Sequence, residues 1–376
     1  MNQYIATPNL ERFPGVEGGP PNPGPPPFAV NGSLQPTLTM YPGQVKLLRI
    51  INSSTVSGFY ISQLPPGFTW RQTAQDGVQF DNGNYIARAQ RPVFVGPANR
   101  VDILVKAPAQ AYPYLLPFTV SQSTSVSTAQ SGEPSVVLFN FSVTGSGRAM
   151  TLVPAMPARP SFLNDITAKE VTGDANQTLT FKTAGLGSGQ SQHTINGLKW
   201  DEKGAIIEMP LNSVGEWTVL NETNGRIDHP FHIHINPFQV TEVFDPRAPV
   251  LDKTGRPVRD AKGQVVPVYM VSTTQPTLQA GQCWLNPDNK DTWKPCPAAA
   301  PSYSAKTNIW WDVFPIPAGI DSPKGTIPGY FKFRTRFVDY GGSYVLHCHI
   351  LAHEDRGMMF QVNVGPKAKG MRMRHH

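Results

Sequence analysis

Long apolar runs, cysteine, charge and helical periodicity are all scarce in this 376-residue chain, and each shortage removes a class of protein. No stretch approaches the roughly 18 consecutive apolar residues of a membrane-spanning helix, so a helical membrane protein is excluded. The segment after Met1, NQYIATPNLERF, has no charged start followed by an apolar stretch, so no export signal is visible in it. Three cysteines in a chain long enough for two or three apolar cores exclude a small disulfide-stapled fold. Charged residues are 15% of the chain, against about 25% in an average globular protein. The net charge of +6 is spread along the sequence, and its one dense cluster, Lys367 to Arg374, reads as a solvated tail rather than a nucleic-acid or membrane contact.

What is plentiful is turn-forming: 33 glycines and 38 prolines, which suit many short strands joined by turns. Residues 1–28 hold GVEGGPPNPGPPP, a linker that cannot sit inside a sheet. From Phe28 the β-branched segments QVKLLRIIN (44–52), PVFV (92–95), RVDILVKA (100–107) and SVVLFNFSV (135–143) describe one β-sandwich, over 29–145. A second linker, 146–175, contains VPAMPARPSF. Strands resume with QTLTFKTA (177–184), EWTVLN (216–221), FQVTEVF (238–244), YFKFRTRFV (330–338) and GSYVLHCHI (342–350), giving a second sandwich over 176–366 before the basic tail 367–376. The expected fold is all-β, two Greek-key sandwiches in tandem.

The chemistry lies in two short motifs that hold six of the nine histidines. In His229-Pro230-Phe231-His232-Ile233-His234, successive strand side chains point to opposite faces, so His232 and His234 share a face and His229 looks the other way. In the second, running from His347-Cys348-His349 through His353 to Met358, His347 and His349 face one side and Cys348 the other. A thiolate, two imidazoles and a distant thioether form the ligand set of a blue-copper electron-transfer centre, and Cys348, His353, Met358 and His229 supply it. His232, His234, His347 and His349 point toward a second metal site, and Cys348 is covalently flanked by two of its ligands. His193 reads as a hydrogen-bonded core histidine, and His375-His376 as a chain end without a metal role. Cys283 and Cys296 flank a polar loop and could close it as a disulfide, which would place maturation in an oxidising compartment. The Asn-x-Ser/Thr sequons at Asn52, Asn140 and Asn221 neither support nor oppose that.

Both motifs resemble the C-terminal copper motifs of multicopper oxidases, the family of laccases and related oxidases. FAVNGSLQPTLTMYPGQVKLLRIIN resembles the opening of that family's second cupredoxin domain, and HTINGLKWDEKGAIIEMPLNSVGEWTVLN the approach to its third. The resemblance implies two cupredoxin-like domains, with type 1 copper at His229, Cys348, His353 and Met358, type 2 copper at His232, and the type 3 pair at His234, His347 and His349. It implies one-electron oxidation of phenols or aromatic amines coupled to reduction of dioxygen to water, with Glu354 relaying protons and Asp355 supporting it. It also implies a secreted or periplasmic location. Met358 at the axial position implies a lower copper potential than Leu or Phe would give. Asp312, in WWDV, is expected to serve structure or to brace a ligand.

The chain also departs from the family pattern. A three-domain member carries two further His-x-His pairs, whereas the 228 residues before His229 hold only His193. The expectation is a complete blue site with half of a trinuclear one, the rest lost with a first domain or supplied by another chain. Two other readings stay open, a one-electron blue-copper carrier or relict fragment, and a copper nitrite reductase, against which the HCH triplet counts. The 245–308 insertion, with Trp284 and Trp293, is expected to wall the donor side; ten methionines with no cluster near the site argue against a metal-ion oxidase.

Overall fold

The computed structural model describes residues 2–3, 28–123, 135–185, 191–200, 204–224, 227–248, 259, 262–263, 282–284, 293–295, 308–322 and 325–366. Their regular secondary structure is almost all strand. Among them the α-helices are Asn82–Ala87 and Leu351–Glu354. The chain divides into two compact units, and the main boundary, between Asn164 and Asp165, lies just after the Pro-rich stretch 153–162.

In the first unit one sheet sets Val45–Ile51, Arg100–Lys106, Thr69–Gln75 and Val78–Gln79 side by side. A second sets Thr37–Met40, Ser135–Val143, Leu116–Ser123, Gly58–Ile61 and Val93–Val95 side by side. Alternation explains how they pack. Val101, Ile103 and Val105 are fully buried while Asp102 and Leu104 between them are not, so one face of this sheet meets the Phe118, Phe139 and Phe141 cluster. The parallel pairing of Thr37–Met40 with the end of Ser135–Val143 shows that the strands do not simply meander.

The second unit repeats the architecture. Gln192–Ile195, Gln177–Ala184, Ser213–Asn221, Gly329–Phe337 and Phe238–Phe244 are neighbours in one sheet. Ile206–Pro210, Met359–Gly365, Gly342–Cys348 and His229–Ile233 are neighbours in another. Between them lies an aromatic core. Phe231 reaches Phe333 at 5.4 Å and Phe238 at 5.8 Å between ring centroids, and Trp217 reaches Phe333 at 5.5 Å. Gly215 has no room for a side chain, since a Cβ there would lie 2.3 Å from the Ala175 carbonyl. No helix among the described residues is long and apolar enough to cross a membrane. Cys296 and the 367–376 tail lie outside the described residues, as do the side chains of Cys283, Trp284 and Trp293.

Candidate metal centre

Two adjacent antiparallel strands build the centre. His229–Ile233 pairs with Gly342–Cys348 so that Phe231 stands opposite Cys348 and His232 opposite His347. Residues opposite each other in such a pair share a face. Phe231 and Ile233 are driven into the aromatic core, and that fixes the register, since a one-residue slip would bury His232 and expose Phe231. Cys348 thus joins the buried face, and His232 and His347 lie on the opposite one.

On the buried side His229, Cys348 and His353 converge, all without solvent exposure. His229 Nδ1 lies 3.4 Å from Cys348 Sγ, Cys348 Sγ 3.7 Å from His353 Nδ1, and the two Nδ1 atoms 3.2 Å apart. A circle through three atoms so spaced has a radius of about 2.0 Å, close to the roughly 2.0–2.3 Å at which imidazole nitrogen and thiolate sulfur bind a transition-metal ion. His353 arrives from the short helix Leu351–Glu354, and the chain turns back so that Met358 N–H donates to the His353 carbonyl and Cys348 N–H to the Met358 carbonyl. Met358 is fully buried.

Electrostatics suits a cation. Burial, with a smaller contribution from His193, pushes His229 down to about 3, and burial holds His353 well below the ordinary range, so both rings are neutral with lone pairs to offer. Burial, with Glu354 adding to it, pushes the Cys348 thiol up, so an entering ion must displace its proton. One soft thiolate and two imidazoles sealed from solvent are donors for copper or zinc rather than for calcium or magnesium.

On the opposite face His232, His234 and His347 place their donor atoms within 4.8 Å of one another, and the His234 and His347 Nε2 atoms are 3.3 Å apart. The His349 ring lies 5.4 Å from that of His347 and 5.7 Å from that of His232. Backbone and carboxylate oxygens orient two of these rings. His232 Nδ1 is 2.8 Å from the Asp312 carbonyl, which also accepts from Ile233 N–H, and His347 Nδ1 is 3.2 Å from Glu354 Oε2. With Nδ1 carrying the proton in each, Nε2 remains as the metal donor. His234 is exposed and His232 and His349 are partly so, which leaves this cluster open to the outside. Burial lowers His232 to about 3, and in Glu354 the effect of burial is outweighed by the hydrogen bond from His347 and by the nearby imidazoles, so its carboxyl sits below the usual range.

Other expected residues fall differently. Asp355 is exposed at the end of the short helix, where its N–H donates to the Leu351 carbonyl. Asp312 reaches His232 chiefly through its carbonyl, the nearer carboxylate oxygen being 3.9 Å away. Asn52 and Asn221 are buried with their side-chain amides bonded to backbone carbonyls, so neither sequon is open to a glycan in the folded chain. Two features were not foreseen. His193 is buried and hydrogen-bonded as expected, but its ring stacks on His353. Asp228, next to His229, shares the Arg247 guanidinium with Asp245 in the interior. A lone aspartate beside a buried motif in a charge-poor chain was the available signal, because such a carboxylate needs a cationic partner.

Acid lability follows from the depressed imidazoles. Unfolded histidines take up protons near pH 6.5, whereas folded His229 and His232 resist until about 3. Between those values the unfolded chain binds more protons, so metal-free stability is complete above about pH 6.5 and falls as pH drops, by up to about 1.4 kcal/mol per pH unit per histidine. Urea midpoints of the metal-free protein should fall steeply from pH 6.5 to 4; a flat profile would contradict the buried neutral assignment.

A family model described as multicopper oxidase matches residues 159–275 and 294–368. A laccase of Bacillus stratosphericus is 24% identical over 340 residues, which are 89% of this chain and 54% of that protein. The multicopper oxidase mco of Staphylococcus haemolyticus is 21% identical over 337 residues, 89% of this chain and 51% of that protein. The chain thus spans about half the length of the curated relatives it matches. Among solved structures, the McoA multicopper oxidase of Aquifex aeolicus superposes with a TM-score of 0.54 at 18% identity, covering 89% of this chain and 58% of that one. A multicopper oxidase of Campylobacter jejuni gives 0.53 at 16%, covering 95% and 59%. Likeness at these identities concerns the fold.

Proposed function

This chain belongs to the multicopper oxidase family, and from that premise we propose a laccase-like role, oxidising phenolic or aromatic amine donors one electron at a time and reducing dioxygen to water. In this reading His229, Cys348, His353 and Met358 hold type 1 copper, His232 holds type 2 copper, and His234, His347 and His349 contribute to the type 3 pair. The observation that carries it is the closed His229, Cys348 and His353 triangle backing directly onto the open histidine cluster. Bound copper would supply a one-electron acceptor at the thiolate and an oxygen-reducing centre at the cluster.

The protein's own residues do the rest. Cys348 lies between His347 and His349, so two peptide bonds join the two sites. The buried triad offers no exposed ring edge, so a donor delivers its electron across at least one covering residue. Glu354 holds His347 in orientation and, kept ionised at the cluster, is placed to take up and pass protons, with exposed Asp355 beside it toward solvent. The four imidazoles fill half of a trinuclear ligand set; we assign the remainder to a further domain or to another chain, and the location to a secreted or periplasmic compartment.

Met358, buried in the same segment, would complete the donor set with its thioether, and we assign to it a lowering of the copper potential. Met358→Leu should raise it by on the order of tens of millivolts; an unchanged or lower potential in a redox titration of the thiolate absorption band would contradict this. The function is tested by oxygen uptake of the copper-loaded protein with a methoxyphenol donor. Uptake that Cys348→Ser abolishes is expected once the ligand set is complete. One copper, a thiolate band and no uptake would favour an electron-carrier role instead.

A further inference from the structure

The imidazoles of His229 and His353 carry the triad's two nitrogen donors, and nothing in a histidine's own torsions fixes its ring plane, because rotation about the Cβ–Cγ bond is broad. Something outside the two motifs has to hold them. On the His353 side it is a ring. His193 stacks on His353 with centroids 4.0 Å apart and planes at 19°, a separation at which His353 cannot turn without colliding. His193 is itself locked. Arg356 Nη1 lies 3.4 Å from its Nε2, and since a guanidinium can only donate, Nε2 accepts. Its proton is therefore on Nδ1, which donates to Thr183 Oγ1 at 2.9 Å. Thr183 is the residue directly opposite His193 on the neighbouring strand.

On the His229 side the holder is a hydroxyl. Thr223 Oγ1 lies 2.7 Å from His229 Nε2 and accepts from Thr183 N–H at 2.9 Å. With His229 Nδ1 facing Cys348, a proton on Nε2 donated to Thr223 leaves Nδ1 as a lone pair aimed into the triangle. The two devices meet at one residue. Thr183 takes His193 through its side chain and Thr223 through its backbone, and all these groups are buried.

We propose that His193 and Thr223, tied together through Thr183, are positioning residues of the buried metal triad, the first setting the ring plane of His353 and the second the tautomer and direction of His229. This rests on the reading of the triad as a copper site.

The test compares full chains carrying His193→Ala, His193→Phe, Thr223→Val or Thr223→Ser with the unsubstituted chain. Three quantities are read: the thiolate absorption band after copper(II) loading, the dissociation constant for cobalt(II), and the unfolding midpoint of the metal-free protein. His193→Ala and Thr223→Val should each shift the band and weaken cobalt(II) by about tenfold or more, in line with the usual effect of removing a ligand's support. His193→Phe, which keeps a stacking ring, and Thr223→Ser, which keeps the acceptor, should recover most of both. Bands and affinities equal to those of the unsubstituted chain in the Ala and Val variants would overturn the proposal. So would losses that track the metal-free midpoint without recovery in Phe and Ser. If His193→Ala fails to fold, the Thr223 pair and His193→Phe decide. If the unsubstituted chain itself shows no thiolate band, the copper reading fails first, independently of this proposal.

Discussion

Replacing Cys348 by Ser should abolish the intense visible band of the copper-loaded protein and cut the affinity of the buried triad for copper by several orders of magnitude, while the metal-free fold is kept. Cys348 Sγ is one corner of a closed triangle whose other two corners are neutral imidazole nitrogens, and all three residues are sealed from solvent. No other carboxylate or thiol joins that buried group among the described residues, so a serine hydroxyl leaves two nitrogens and no anionic donor. The exchange removes little volume, and the serine hydroxyl has imidazole nitrogens beside it to bond, so the unfolding midpoint of the metal-free protein should change far less than the copper affinity. Retention of the band, or of copper in the triad, would mean that the thiolate is not a ligand.

A second large effect is expected away from the metal. Arg247→Ala should destabilise the protein by about 3–5 kcal/mol, because it strands two carboxylates in the interior. Arg247 donates to Asp228 at 2.6 Å and to Asp245 at 3.0 Å, and the side chains of those aspartates are only 2% and 3% exposed. Asp228 also accepts from Ala318 N–H, so it braces a second segment of chain beside His229. A loss of that size is a large share of the roughly 5–15 kcal/mol that keeps a domain folded. Urea unfolding of the metal-free protein measures it, and the Asp228→Asn, Arg247→Leu double variant should recover part of the loss, since Asp245 alone, rather than two carboxylates, then loses the guanidinium. A loss below about 1 kcal/mol would mean that the network behaves like a surface ion pair.

The grouping of side chains in the candidate centre was legible where it rests on strand parity. The odd offset of His229 from His232 and the HCH triplet required two faces, and the structure puts His229 and Cys348 on one and His232, His234 and His347 on the other. The strands most visible in sequence were those whose apolar residues recur at every second position, such as Arg100–Lys106 and Gln177–Ala184, where burial alternates strictly. Thr69–Gln75, with TWRQTAQ, was not, because its polar residues are buried with tertiary partners, such as the Asp102 carbonyl for Thr73 and Arg88 for Gln72. Strand parity stops at the end of Gly342–Cys348, and His353 is carried instead by the four-residue helix Leu351–Glu354. What sequence could not reach was long-range. His193 lies 160 residues from His353, and the pairing of its strand with Gln177–Ala184 sets where it meets that ring. Local pattern carries no trace of a contact set by sheet order.

The most direct test of a thiolate copper site in this chain is titration of the metal-free full-length protein with copper(II), following visible absorption and electron paramagnetic resonance against copper bound per chain. An intense thiolate-to-copper band that saturates with one copper in the His229, Cys348 and His353 triad is the predicted result. Copper bound only with the weak absorption of nitrogen and oxygen ligands, and no thiolate band at any loading, would contradict it.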